Sequence, residues 1–313
     1  MASADTTENM IRIGTRGSQL ALAQANEVRD RLIAAHETDL QVEIEVISTK
    51  GDRVLDRPLS EIGGKGLFTE EIEERLADGR IDIAVHSTKD MPTALPDGLE
   101  LSCYLPREAA QDAFISNKYE NVDELPEGAV VGSSSLRRKA LLLRMRPDLK
   151  VVNFRGNVQT RLKKLEEGQV DATLLAVAGL NRLGMQDIIR STMDEKSFPP
   201  APGQGAICIE SRTGDERISN LLAPIHDHVT AVRLEAERAF LRELDGSCRT
   251  PLAGYAEFDN DMLLFHGLIL KPDGTESHDV HLAGHWQNAE SLGTEAAMRL
   301  REQAGDGFFD DWT

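Results

Sequence analysis

No stretch of this 313-residue chain approaches the roughly 20 consecutive apolar residues that a membrane-spanning helix requires. Cysteine is scarce. Three thiols are an odd number in a long chain, which argues against a disulfide framework and for a reducing compartment. Positive charge is short overall, 35 basic against 53 acidic side chains. The net charge of −18 disfavours nonspecific binding to nucleic acid or to an anionic membrane. The amino-terminal segment is polar and slightly acidic, unlike a secretory signal or an Arg-rich transit peptide, so a cytoplasmic protein is expected. The G-x-x-x-x-G-K-[ST] spacing of a Walker loop is also missing. The glycine-rich segment 49–66 around Lys65 therefore reads as a mobile flap rather than a phosphate cradle. His278, His281 and His285 have no cysteine or carboxylate at ligand spacing, so no metal is expected there.

What is present is a globular composition, 40% hydrophobic and 28% charged, in a chain long enough for two or three domains. The charge is unevenly placed. Residues 132–164 carry ten basic side chains against the single acid Asp148, a local +9, while the other 280 residues carry −27. A concentrated basic segment in a strongly acidic protein points to an anionic ligand held there, the acidic remainder serving solubility.

The hydrophobic pattern predicts strand–helix alternation: a strand from Met10, a helix Gln19–Ala35 capped by Ser18, a strand Gln41–Ser48, a helix Leu67–Asp78, and a strand at Ile81–Val85. This β-α-β-α-β order implies a mainly parallel sheet, and residues 110–198 repeat it. Pro199–Gly205 reads as a rigid linker, followed by a strand Ala206–Glu210 that can cross back to the first sheet. An amphipathic helix Thr230–Leu244, three antiparallel strands and a closing helix Gln287–Gln303 make a smaller α+β domain. The expected architecture is thus α/β, with two periplasmic-binding-protein-like lobes forming a clamshell around a ligand and a C-terminal α+β domain. The domains are expected at 1–108 with 200–224, 109–199, and 225–313.

Several residues stand where chemistry is feasible. The strand ending at Val85 runs into His86, Ser87, Thr88, Lys89 and Asp90, and ligands of open α/β sheets bind beyond the carboxyl ends of strands. Lys89–Asp90 reads either as a charged catalytic pair or as a solvated turn. Arg16 lies between a strand and a helix N-terminus, a common anion site. Arg137 and Arg138 follow Ser133, Ser134 and Ser135 at the opening of a helix. Two arginines there oppose the helix dipole unless an anion sits between them. Cys103 and Cys208 lie in apolar segments and read as packing residues. Cys248 differs: it follows a glycine at a helix end and precedes Arg249, whose charge favours a thiolate. No general-base partner for it is evident, so it reads as a reactive or as an incidental thiol.

Taken together these segments resemble the porphobilinogen deaminase (hydroxymethylbilane synthase) family, from about Ile11 to the closing helix. The resemblance rests on Arg-Ile-Gly-Thr-Arg-Gly-Ser at 12–18, Gly-Gly-Lys-Gly-Leu-Phe at 63–68 and Asp-Ile-Ala-Val-His-Ser-Thr-Lys-Asp-Met-Pro at 82–92. It continues through Gly-Ser-Ser-Ser-Leu-Arg-Arg at 132–138, Arg-Gly-Asn-Val-Gln-Thr-Arg at 155–161, Pro-Gly-Gln-Gly-Ala at 202–206 and Gly-Ser-Cys at 246–248. It implies a transferase that condenses four porphobilinogen molecules head to tail into hydroxymethylbilane, releasing ammonia. The chain would grow on a dipyrromethane cofactor in thioether linkage to Cys248. By resemblance Asp90 is catalytic. Arg16, Lys89, Ser133, Ser135, Arg137, Arg138, Arg155, Arg161, Arg182 and Gln204 match positions that bind cofactor and substrate carboxylates, and Lys65 belongs to the flap. A monomer without nucleic-acid or membrane partners is expected. Glu61, Pro202 and Arg249 depart from the family pattern and bear on the flap and on elongation. Two other classes fit parts of the sequence. A two-lobed solute-binding protein shares the architecture but needs neither Cys248 nor a third domain, and a DNA-binding module on Arg137–Arg146 is opposed by the negative charge elsewhere.

Overall fold

The computed structural model describes residues 10–36, 40–53, 68–246, 250–305 and 307–312. They fall into two compact units, one of 10–36, 40–53, 68–107 and 206–231, the other of 108–205, 232–246, 250–305 and 307–312.

The first unit is built on a five-stranded sheet in the order Gln41–Ile47, Met10–Arg16, Ile83–Ser87, Ile207–Arg212, Leu99–Tyr104. The first three strands are parallel, as their β-α-β-α-β order predicts. Ile207–Arg212 does return to this sheet, antiparallel to both neighbours, with Cys208 opposite His86. Alternation divides the faces. Ile11, Ile13, Ile83, Val85, Ile207 and Ile209 pack with Ala25, Val28 and Leu32 of helix Gln19–His36. Ala84 packs on the other side with Ile72 and Leu76 of helix Glu70–Ala77. Ser18 caps the first helix, its hydroxyl accepting from the Ala21 N–H at 3.2 Å. A helix Glu216–Leu222, which the hydrophobic pattern does not announce, is capped by Asp215 through the Ile218 N–H at 3.1 Å.

The second unit repeats the strand plan. Its five-stranded sheet runs Lys150–Val152, Val130–Gly132, Ala172–Ala176, Asp112–Ser116, Ser191–Thr192, again with three parallel strands followed by antiparallel ones. A separate antiparallel sheet, Leu252–Asp259, Met262–Leu270 and Ser277–His285, packs against helices His228–Glu243 and Ala289–Ala304 around Phe240, Phe265, Leu292 and Leu300. These helices approach to backbone contact. A Cβ at Gly293 would stand 2.0 Å from the Ala236 carbonyl oxygen, so only glycine fits. Ala253, Leu268 and Leu270 of the antiparallel sheet share a core with Leu141, Leu142 and Phe114, which is why both sheets belong to one compact unit.

A buried acid locks the Pro199–Gly205 linker. Glu237 is 0% exposed on an otherwise apolar helix face, and its carboxylate accepts from the Gly203 N–H at 2.7 Å and the Ala256 N–H at 2.9 Å. Glu237→Ala leaves both donors buried without that acceptor and is expected to cost about 3 kcal/mol. Urea denaturation should show a lower midpoint at unchanged slope.

Candidate functional site

In the first unit the carboxyl ends of parallel strands supply the candidate residues. Ile13 and Gly14 lie opposite Ile83 and Ala84, so Arg16 and the residues after Val85 emerge at the same edge of the sheet. Beyond Ser87 the chain turns through a 3-10 segment, Thr88–Asp90, closed by the Met91 N–H donating to the Thr88 carbonyl at 3.1 Å. The turn is tied to the sheet where the Thr88 N–H donates to the Ala206 carbonyl at 3.0 Å. Thr88 is buried, Lys89 half-buried and Asp90 exposed. A carboxylate is thus presented to solvent from a backbone that is itself fixed. Gln24, from the first helix, hydrogen-bonds the Ser87 hydroxyl at 2.8 Å and braces the strand end. The Arg16 guanidinium carbon lies 4.2 Å from the centroid of the Phe68 ring, a cation–π contact. His86 meets the buried Glu210 carboxylate at 3.2 Å.

In the second unit the basic residues surround two helix N-termini. Ser135 caps helix Leu136–Met145 and Asn157 caps helix Val158–Glu166, each side chain accepting from the N–H three residues on. The anion that Arg137 and Arg138 require is Asp112. Its carboxylate takes one bond from Arg137 at 2.6 Å and two from Arg138 at 3.0 and 2.6 Å, and Gln204 adds a fourth at 2.9 Å. All three charged side chains are buried. Burial opposes the carboxylate, but the two guanidinium charges and their hydrogen bonds outweigh it and hold Asp112 well below the usual carboxylate range. Arg137 also donates to the Pro199 carbonyl at 2.8 Å and Arg138 to the Leu174 carbonyl at 2.9 Å. The trio keeps one net positive charge. Arg137 Nε is buried with no hydrogen-bond partner among the described residues.

Arg155, Arg161 and Arg182 are half-buried. Arg161 donates to the Gly156 carbonyl at 2.8 Å, and Arg182 to the Gly205 carbonyl at 3.1 Å. Gly205 itself has φ +89, and a Cβ there would stand 2.4 Å from the Glu108 carbonyl oxygen. Ser133 is buried, its hydroxyl accepting from the Ser135 N–H at 3.2 Å. The structure therefore gathers Arg137, Arg138 and Gln204 around Asp112, with Ser133 and Ser135 at the start of the helix that carries the two arginines, while Arg155, Arg161 and Arg182 are half-buried.

Cys248, Lys65, Glu61 and Arg249 lie outside the described residues. Cys103 and Cys208 are buried free thiols, and burial, with Cys208 adding to it, pushes Cys103 up to about 12. Cys103 is therefore no nucleophile at neutral pH. His278, His281 and His285 are not brought together: His278 pairs with Glu276 at 3.0 Å, and His285 accepts from the Gln287 N–H at 3.4 Å. His281 instead stacks on His266 at 4.1 Å, with Asp279 alongside. Their ligand atoms lie within 4.8 Å of one another, and the Arg144 charge acts on His266 against a cation.

Sequence reasoning did not single out Asp112, Gln24, Glu73, Glu210 or Glu237. For Asp112 one signal existed, the dipole argument at Arg137–Arg138, yet its partner lies 25 and 26 positions away with no spacing rule to find it.

Comparison with known proteins agrees with the resemblance. The family description "Porphobilinogen deaminase, dipyromethane cofactor binding domain" matches residues 11–220, and "Porphobilinogen deaminase, C-terminal domain" matches residues 231–302. The porphobilinogen deaminase of Nitrobacter hamburgensis is 54% identical over 310 residues, covering 99% of this chain and 98% of that protein. Among solved structures, a putative methionine-binding lipoprotein of Bacillus subtilis has a TM-score of 0.46 at 13% identity, over 71% of this chain and 92% of that one. The methionine-binding protein MetQ has the same TM-score at 16% identity, over 72% and 93%. The chain is an enzyme of tetrapyrrole biosynthesis, a transferase with a dipyrromethane cofactor-binding domain. It belongs to the porphobilinogen deaminase family. No described helix is long and apolar enough to cross a membrane.

Proposed function

We propose that this chain condenses four porphobilinogen molecules head to tail into hydroxymethylbilane, with Asp90 as the catalytic carboxylate and the half-buried arginines as carboxylate holders. The observation that carries the reading is Asp90 itself: an exposed acid on a hydrogen-bonded turn at the carboxyl end of a buried strand. Loss of ammonia from porphobilinogen leaves an azafulvenium-like cation. A pre-positioned carboxylate stabilises positive charge that grows in the transition state, and can pass protons to the leaving amine and from the pyrrole carbon.

The donor set fits a dipyrromethane cofactor, whose acetate and propionate groups are carboxylates. Arg155, Arg161 and Arg182 offer planar forks suited to bidentate pairing, and Ser133 and Ser135 add hydroxyls at a helix N-terminus. Arg137, Arg138 and Gln204 form the Asp112 cluster, which keeps one positive charge toward those carboxylates, and Arg16 and Lys89 bind carboxylates in the first unit. When bound through Cys248, the cofactor supplies the pyrrole carbon on which the chain grows. Lys65 belongs with the flap. The three sheets support a division at 1–108 with 200–224, 109–199 and 225–313. A monomer in the cytoplasm completes the proposal.

Two measurements test this reading. Intact mass of the purified protein should exceed the sequence mass by one dipyrromethane, and Cys248→Ala should remove the excess together with the colour given by acidic Ehrlich's reagent. An active protein of unmodified mass overturns it. Arg155→Ala should cost about 1.5–3 kcal/mol of charge-assisted bonding, a rise in KM of roughly 10- to 150-fold. Arg155→Lys should recover only part of this, because an ammonium cannot pair in bidentate fashion.

A further inference from the structure

The strand that leads to Asp90 has a polar underside that none of these roles uses. Alternation puts Ala84 and His86 on the face toward helix Glu70–Ala77. Glu210 of the neighbouring strand lies diagonally across, 0% exposed, its Oε2 3.2 Å from His86 Nε2. The helix contributes Glu73, 7% exposed. Oε1 of Glu210, Oε1 of Glu73 and Oγ1 of Thr88, the residue before Lys89, are buried with no hydrogen-bond partner among the described residues.

Two carboxylates and an imidazole enclosed together cannot carry −2, because an unpaired buried charge costs several kcal/mol. Burial raises the Glu73 carboxyl above its usual range. The Thr69 hydroxyl opposes the rise, the Glu210 charge adds to it, and His86 opposes it. Glu70, at the outer end of the helix, pushes weakly upward and is itself held by Lys50 at 2.7 Å. Cys208, opposite His86, contributes a thiol 3.8 Å from the His86 carbonyl oxygen.

We propose that Glu73, Glu210 and His86 form a buried proton-sharing cluster that positions the Thr88–Asp90 turn. Glu73 keeps its proton at neutral pH and the His86–Glu210 hydrogen bond closes the cluster beside it. Rising pH removes the Glu73 proton and adds a negative charge under the turn. Water then enters, the strand end loosens and Asp90 moves off its geometry, which lowers kcat more than KM because carboxylate binding rests on other side chains. These are positioning residues, and the proposal rests on Asp90 as the catalytic group.

The test uses the full-length holoenzyme: kcat and KM across pH, with infrared spectra of the carboxyl region in light and heavy water. Glu73→Gln, which keeps the neutral shape, should leave kcat near neutrality within about threefold, abolish the alkaline decline, and remove a protonated-carboxyl band seen at neutral pH. Glu210→Gln should lower kcat about tenfold or more with KM within about twofold, and Glu210→Asp should recover part of the loss. An alkaline limb or a carboxyl band unchanged by Glu73→Gln overturns the proposal. Should Asp90→Asn keep its turnover, the catalytic reading fails by itself, and the band still decides whether the cluster shares a proton.

Discussion

Asp90→Asn should fold as the wild type does and turn over porphobilinogen about 10²- to 10³-fold more slowly. The side chain is exposed, so its replacement removes no packing and strands no buried partner. The turn that presents it is held by backbone bonds, from Thr88 to Ala206 and from Met91 to Thr88, which asparagine leaves intact. What asparagine lacks is the negative charge that opposes the growing cation and the basicity to accept a proton. The loss should therefore fall on kcat, with the thermal midpoint within about 1 °C, inside the roughly 1.5 °C shift that 1 kcal/mol would cause in a chain of this length. Near-normal turnover by a folded Asp90→Asn protein would remove Asp90 from the mechanism. Asp90→Glu separates charge from position: it keeps the carboxylate but extends it by one methylene, so partial activity is expected.

The largest stability effect is expected at Asp112. Asp112→Asn leaves Arg137 and Arg138 buried without their counter-charge, which should cost roughly 3–5 kcal/mol. The carboxylate accepts from both guanidinium groups and from Gln204, and it is 0% exposed, so solvent cannot substitute. A double-mutant cycle of Asp112→Asn with Arg138→Leu should show strong coupling, the pair costing less than the sum of the singles. The pH dependence follows from the lowered folded-state value. Asp112 contributes its full stability above the ordinary aspartate range near about 3.9, and that contribution is lost as pH falls through the folded-state value. The stability gap between wild type and Asp112→Asn should accordingly stay constant from neutrality down to about pH 5 and close in stronger acid. A gap that does not change with pH would mean that the charge is not what holds the cluster.

Local pattern made most elements legible. Period-two runs at Gln41–Ile47 and 3.6-period runs at Gln19–His36 are properties of single elements, and each is found where its spacing puts it. The β-α-β-α-β order gave the parallel half of each five-stranded sheet, because a parallel pair needs a crossover. It could not give the antiparallel half completely. Asp112–Ser116 pairs with Ala172–Ala176 across more than 50 residues, and such a register is decided by packing rather than by neighbouring positions. The short helix Glu216–Leu222 escaped for a related reason: seven residues are too few to show a clear period.

The sequence by itself determined the strand–helix alternation, the concentration of basic residues over 132–164, and the ordered motifs that mark Asp90 and Cys248. Those signals are local, carried by spacing or by an unbroken run of side chains. Only the tertiary structure decided which charges face each other. It showed that Arg137 and Arg138 close on Asp112, that Glu237 holds the linker, and that Glu210 sits beside His86. Each of these pairs joins residues 25 to 124 positions apart. The physical reason is common to all of them. A buried charge must find a partner through space, and nothing in the spacing of a chain records where folding will bring that partner.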